Sequence, residues 1–145
     1  MKTVGEILGR RTPYWVALSW PVRRVVEYLC EKHVGAVPVI EEDQVVGVFS
    51  ERDLMRRVVL AGLDLDKTGI AEVMTPNVIA ASPDDSYMEA KQIMLENNIR
   101  HLVVMDENKR LKGFVSLREL SETALIEANS LITKLNDQYY RSPGA

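Results

Sequence analysis

The chain states one segment twice. "GVFSERDL" at residues 47–54 returns as "GFVSLREL" at 113–120, an offset of 66 residues. An internal repeat constrains a fold more than any local propensity, because each copy must bury its apolar face with the same set of elements. With small gaps the match extends upstream. "VGAVPVI" (34–40) answers "IRHLVVM" (99–105), the acidic turn "EEDQ" answers "DENKR", and "RRTPYWV" (10–16) answers "VMTPNVI" (73–79).

Both copies read as the same order of elements. A Thr-Pro turn (Thr12-Pro13, Thr75-Pro76) leads into a short strand of β-branched or aromatic residues. The next segment has apolar residues at 22, 25, 26 and 29 in one copy and at 87, 90, 93 and 94 in the other, which is the spacing of one helical stripe. Two strands joined by a polar turn follow, 34–40 with 45–49 and 101–105 with 111–115, and predict a hairpin. A second helix starts just after Ser50 or Ser116. The fold class is therefore α+β, sandwich-like, built from two β-α-β-β-α repeats packed with pseudo-twofold symmetry. A unit of about 60 residues is near the lower limit for an independent core, and two sharing a core are comfortable. "AGLDLDKTG" (61–69), rich in Gly and Asp, is the natural boundary. This gives a first domain over 1–64, a second over 65–125, and a C-terminal extension over 126–145. There the apolar series Leu117, Leu120, Ala124, Ala128, Leu131, Leu135 predicts a helix running past residue 135 before a frayed "YYRSPGA". A stripe that long packs on its own module or on a second chain, and its projection beyond the repeat favours the second.

Composition narrows the function. No run of 18 apolar residues occurs and "MKTVGEILGRR" lacks the apolar stretch of a signal peptide, which points to a cytoplasmic protein without a membrane partner. The net charge is −3 and the basic residues are scattered as short pairs, so there is no stripe to bind nucleic acid. The single cysteine, Cys30, excludes an internal disulfide. Cys30 and His33 stand one helical turn apart, but with only one other histidine the ligand count is too small for zinc. No metal is expected, and Cys30 reads as a small apolar residue. No nucleophile or paired acid and base can be named, so no catalytic residue is assigned and the chain is not read as an enzyme.

The repeated octapeptide supports two readings. A serine where a strand ends and a helix begins is a preferred N-cap, and Ser116-x-x-Glu119 is a full capping box. In Ser50-x-x-Asp53 the acid is one methylene shorter, which leaves Asp53 freer to point outward. The same helix start is also an anion site, with free N–H groups, a favourable dipole and a hydroxyl donor. A carboxylate one turn along can accept both hydroxyls of a ribose. Phosphate and ribose together mean a nucleotide.

These residues carry a resemblance. The Gly-x-x-Ser-x-x-acid signatures at 47–53 and 113–119, the "VGAVPVI" and "IRHLVVM" strands with their acidic turns, and "VMTPNVIAASPDDS" resemble a tandem pair of CBS domains, the Bateman module, over roughly residues 3–125. The resemblance implies a regulatory module that binds an adenine nucleotide, AMP, ADP or ATP, in clefts between the copies. Carried over, one cleft would use Ser50 for phosphate and Asp53 for ribose, with Thr75, Val78, Ile99, Arg100 and His101 around the adenine. The other would use Ser116 and Glu119, with Thr12, Val16, Val34, Gly35 and Ala36 opposite. Glu119 departs from the usual aspartate, which places the ribose grip in the Asp53 cleft. His101 is read either as a ligand contact or as a cross-strand surface residue, and Arg52 and Arg118 as outward salt-bridge partners. Two functions follow: an adenine-nucleotide sensor, expected as a homodimer acting on an unnamed regulated protein, and a nucleotide-indifferent interaction scaffold.

Overall fold

The computed structural model describes residues 1–140. Its elements are α1 (Val4–Leu8), β1 (Val16–Ala17), α2 (Val22–Lys32), β2 (Ala36–Glu41), β3 (Gln44–Ser50) and α3 (Glu51–Asp53), which continues as a π-helical stretch over Leu54–Val59. The same series follows as α4 (Ile70–Val73), β4 (Ala80–Ala81), α5 (Tyr87–Glu96), β5 (His101–Met105), β6 (Leu111–Ser116) and α6 (Leu117–Tyr140). Two three-stranded sheets result, β1-β2-β3 and β4-β5-β6. In each, the short strand pairs in parallel with the middle one, and the last two form an antiparallel hairpin. The repeat read from the sequence is thus the repeat of the fold, an α+β pair. The two hairpin tips meet, Val45 N–H donating to Lys109 O at 2.9 Å.

The expected helical stripes are buried as predicted: Val22, Val25 and Leu29 on α2, and Tyr87, Ala90 and Met94 on α5. What the periodicity did not announce is a short leader helix ahead of each Thr-Pro turn. These leaders are repeats too, "VGEIL" at 4–8 against "IAEVM" at 70–74, again offset by 66. Each packs away from the sheet that follows it in sequence. Val4 and Leu8 of α1 lie in the core of the second unit with Leu102, Val104, Val115 and Leu120. Ile70 and Val73 of α4 lie in the core of the first with Val16, Val37, Val39 and Phe49. The anchoring hydrogen bonds are duplicated as well. Val4 N–H donates to Asp85 O (2.8 Å) and Tyr87 N–H to Lys2 O (3.1 Å), as Ile70 N–H does to Trp20 O (2.9 Å) and Val22 N–H to Thr68 O (2.9 Å).

The exchange explains the glycine that opens each signature. Gly47 and Gly113 sit in mid-strand, where glycine weakens a sheet unless something must come close. A Cβ on Gly113 would run into the Leu8 side chain, and one on Gly47 into the Met74 sulfur and, at 3.0 Å, the carbonyl oxygen of Thr75. Leu8 and Met74 are equivalent residues of the two leaders. The glycine is therefore the seat of the exchanged segment.

The last helix differs from expectation at its end. α6 continues through Tyr139 and Tyr140, which were expected to fray, while 141–145 lie outside the described residues. Only its first turns pack, through Leu117, Leu120 and Ala124. Among the described residues Glu127 is the last tied to the body, accepting from the Tyr87 hydroxyl (2.6 Å) and the Lys2 N–H (3.4 Å). That bond holds the Glu127 carboxyl below its ordinary range and raises the Tyr87 phenol. Among the described residues no helix is long and apolar enough to cross a membrane. Cys30, read from sequence as a small apolar residue, is exposed on α2, the stripe there being filled by valine and leucine.

Gly47→Ala should destabilise the chain by about 1–3 kcal/mol, the usual scale of overpacking, although glycine-to-alanine in a tolerant strand would stabilise. Urea unfolding of the full chain checks this. A variant as stable as the parent would show that the Thr75 backbone yields freely.

Candidate functional site

A cleft of about 930 Å³ opens between the two units, within the range of small-molecule sites. Its floor is the start of α6, where Ser116 caps the helix. Ser116 Oγ accepts from the Glu119 N–H (3.1 Å), and Glu119 Oε1 reaches back to the Ser116 N–H (3.4 Å). The Leu117 N–H donates to Arg100 O at 2.8 Å, which ties the helix start to the chain entering β5. The opposite wall comes from the first unit: Arg11, Thr12, Pro13 and Tyr14 before β1, and His33, Val34, Gly35 and Ala36 at the α2–β2 junction. Arg100, His101 and Phe114 complete it.

Three arginines (Arg11, Arg100, Arg118) line this cleft against one carboxylate, Glu119. His101 stacks on Phe114 with ring centroids 5.4 Å apart. Its burial is the main cause holding the imidazole below the ordinary histidine range, so it is neutral at pH 7 and the positive charge belongs to the arginines. Arg118 also pairs with Glu122 at 3.1 Å, the outward bridge expected of it. A hydroxyl-capped helix start among arginines is chemistry for an anion with hydroxyl groups.

The two signatures do not present their acids alike, and the difference runs opposite to the sequence reading. Asp53 does not point outward. It is only 9 % exposed, and its Oδ2 accepts from both the N–H (3.0 Å) and the hydroxyl (3.1 Å) of Ser50. Its Oδ1 accepts from the Thr75 hydroxyl at 3.1 Å and lies 3.6 Å from Arg57 Nε. Thr75 is held there by a backbone bridge to Val48, at 2.8 and 3.0 Å. One methylene less did not free the aspartate, because α3 starts close enough to Ser50 for the short arm to close the capping box. On the other side Ser116 makes no hydroxyl bond to Glu119 of the kind Ser50 makes to Asp53, since the longer arm sets the carboxylate farther out.

Of the residues proposed from sequence, Thr12, Val34, Gly35, Ala36, Ser116 and Glu119 gather in the open cleft. Arg100 and His101 join them there, although they had been assigned to the Asp53 side. Ser50, Asp53 and Thr75 gather with one another, joined by hydrogen bonds through the aspartate. Val16 does not line this cleft; it is fully buried in the first core, where a β1 residue facing inward must be. Val78 is half-buried ahead of β4, and Ile99 packs on the second core. Arg11, Tyr14, His33, Phe114 and Arg118 line the cleft without having been singled out for it. For Arg11 a signal existed. Leu8 and Thr12 are separated by Gly9, Arg10 and Arg11, whereas Met74 and Thr75 are adjacent, so the first leader carries three extra residues.

This geometry sits on a fold with a family. A protein-family model of the CBS domain matches residues 4–60 and 70–125. The chain belongs to the CBS-domain proteins. Each matched range opens at a leader helix, as the exchange requires. The CBS domain-containing protein YhcV of Bacillus subtilis is 29% identical over 125 residues, covering 85% of this chain and 88% of the relative. A protein with CBS domains from Burkholderia ambifaria is 32% identical with a TM-score of 0.79, covering 86% of this chain and 95% of that one. A CBS domain protein from Pyrobaculum aerophilum, complexed with AMP, is 30% identical with a TM-score of 0.73, covering 81% and 88%. Other curated relatives are longer: the matched part spans 60% of an uncharacterized protein of Methanopyrus kandleri and 61% of the mitochondrial CBSX3 of Arabidopsis thaliana.

Because Asp53 closes its own capping box, Asp53→Ala should lower ligand-free stability by about 1–3 kcal/mol, the cost of leaving the Ser50 N–H and Thr75 hydroxyl unpaired. Thr75→Val should reproduce part of that loss. Thermal and urea unfolding of both variants check it, and an unchanged midpoint for Asp53→Ala would remove the buried bonds from the energetics.

Proposed function

We propose that this chain is a regulatory module that takes one adenine nucleotide in the cleft between its CBS domains, at Ser116 and Glu119. The observation that carries the reading is the cleft itself: a capped helix start, three arginines and one carboxylate enclosing a volume of nucleotide size. The Ser116 hydroxyl and the start of α6 suit the phosphate, Glu119 suits a ribose hydroxyl pair, and Val34, Ala36, His101 and Phe114 offer flat or apolar surface for the base. The AMP bound to the Pyrobaculum relative supports the ligand class. AMP is the simplest ligand meeting all three features, with ADP and ATP extending toward Arg118. The Asp53 side, closed by Thr75, does not take part. A nucleotide-indifferent scaffold is the alternative outcome.

Signalling would run through assembly. Beyond Glu127, α6 extends another thirteen residues, about 20 Å, with Leu131, Ile132, Leu135 and Tyr139 exposed. Apolar side chains in that number on a helix free of its own module suit a second copy, and a twofold pair is the commonest closed arrangement. The module is then a cytoplasmic homodimer acting on a protein partner.

Calorimetric titration with AMP should find one site per chain. Glu119→Ala should weaken AMP ten- to a hundred-fold, the scale of hydrogen bonds to a charged acceptor, while Asp53→Ala leaves the affinity within about twofold. Absence of any heat with AMP, ADP or ATP selects the scaffold. Two equivalent sites would show that the Thr75 bridge opens.

For assembly, light scattering should give a dimer for the full chain and a monomer for a chain ending at residue 128. A full-length monomer would rule out the pairing, and a dimer that survives truncation would move the interface off α6.

A further inference from the structure

In both units one oxygen of the signature acid is spent on its own serine, and the other is met by a donor from the exchanged leader. For Asp53 that donor is the Thr75 hydroxyl, neutral and fixed by a backbone bridge. For Glu119 it is the Arg11 guanidinium, with Nη1 at 2.7 Å from Oε2. Arg11 belongs to the three residues that only the first leader has, Gly9-Arg10-Arg11. Gly9, at φ 57°, turns the chain out of α1 through a conformation that favours glycine, and Arg11 Nε donates back to Leu8 O at 3.2 Å. The insertion thus puts a cation on the outward oxygen of Glu119, the one a ribose would need.

We propose that Arg11 is a specificity switch for this cleft: paired with Glu119 when the cleft is empty, it must be displaced by ribose and is re-paired by the ligand's phosphate. The proposal rests on the nucleotide reading above and adds to it a preference for phosphorylated over unphosphorylated nucleosides. Three properties of the pair suit such a switch. The Arg11 and Glu119 side chains are 51% and 31% exposed, so the ion pair is of the weak, water-screened kind that a ligand can break. The guanidinium has five donors and only two are engaged, which leaves donors for a phosphate without losing the Leu8 carbonyl. Ser116 and the start of α6, the proposed phosphate seat, line the same cleft. A nucleoside without phosphate breaks the pair and leaves Arg11 with nothing in exchange. A nucleoside monophosphate breaks it and restores a partner.

The experiment is titration of the full-length chain and its Arg11→Ala and Arg11→Gln variants with adenosine and with AMP. The glutamine keeps an amide that can reach the Leu8 carbonyl, so that a change in α1 is separated from the loss of charge. The switch requires opposite signs in both variants: adenosine binding tighter by about two- to fivefold, as a competing exposed ion pair is removed, and AMP weaker by about tenfold or more. If adenosine is unchanged or weaker, Arg11 is at most a phosphate contact and the switch is wrong. If AMP is unchanged, Arg11 never reaches the phosphate and the switch is equally wrong. Binding of neither probe by the parent chain overturns the nucleotide reading and the switch together, whereas a parent that binds both with ratios unmoved by the variants overturns the switch alone.

Discussion

The exchange of leader helices is the contact on which the rest of the molecule depends. Neither three-stranded sheet buries its face with its own preceding helix; α1 covers the second sheet and α4 the first. Two small units that would each be marginal alone are thereby closed by each other, and the closing point is a side chain seated on a glycine, Leu8 on Gly113 and Met74 on Gly47, with the Thr75 carbonyl oxygen beside the latter. The segment just after each leader must then pass the helix start that follows the glycine strand. That passage brings residues of one unit against the capping box of the other, so a site between the copies is a consequence of how the cores are filled.

What differs between the two passages is short. Thr75 follows Met74 directly and lands on Val48 and Asp53, joined to them by a backbone bridge and a hydroxyl bond. Three extra residues separate Leu8 from Thr12 and carry the first Thr-Pro turn clear of β6, and the space beside Ser116 is left as a cleft. The acids answer to this. Three donors reach the buried Asp53, and removing any of them leaves a polar group unpaired. Glu119, half-buried and reached by a screened guanidinium, can exchange partners at small cost.

Most of the fold was legible because the repeat itself is a physical statement: apolar spacing, a polar hairpin turn and a serine at the strand end, all given twice. Val22, Val25, Leu29 and their counterparts went inside as their spacing required. The signature acids were legible as residues, and the expectation that Asp53 points outward met a carboxylate buried against Ser50 and Thr75. Side-chain length was weighed for Asp53 and Glu119, but the deciding fact was the length of backbone ahead of the Thr-Pro turns. That fact was present in the sequence as a gap in the alignment of the copies, "LGRRTP" against "MTP". The leaders themselves are five and four residues long, too short for a helical period to emerge. The exchange of cores cannot be read from local sequence at all, since it is a choice between two equally apolar faces.

The cleft and the exposed end of the chain are joined by one element. α6 begins at the Ser116 cap, is pinned at Glu127 to Tyr87 and Lys2, and runs on for a total of 24 residues, about 36 Å. Lys2 stands just ahead of α1 and Leu8 ends it, so the Arg11–Glu119 pair at one end of this helix and the contact that steadies α6 at its middle are joined by one short element. A ligand shifts an equilibrium only through contacts that differ between its two states. Here the differing contact would be the guanidinium, bound to Glu119 or not, and the two bodies it connects are the leader and α6. On this proposal an electrostatic exchange in the cleft would pass along α6 toward its exposed apolar end, whereas on the Asp53 side the leader's contact is the Thr75 hydroxyl, fixed by the Val48 bridge.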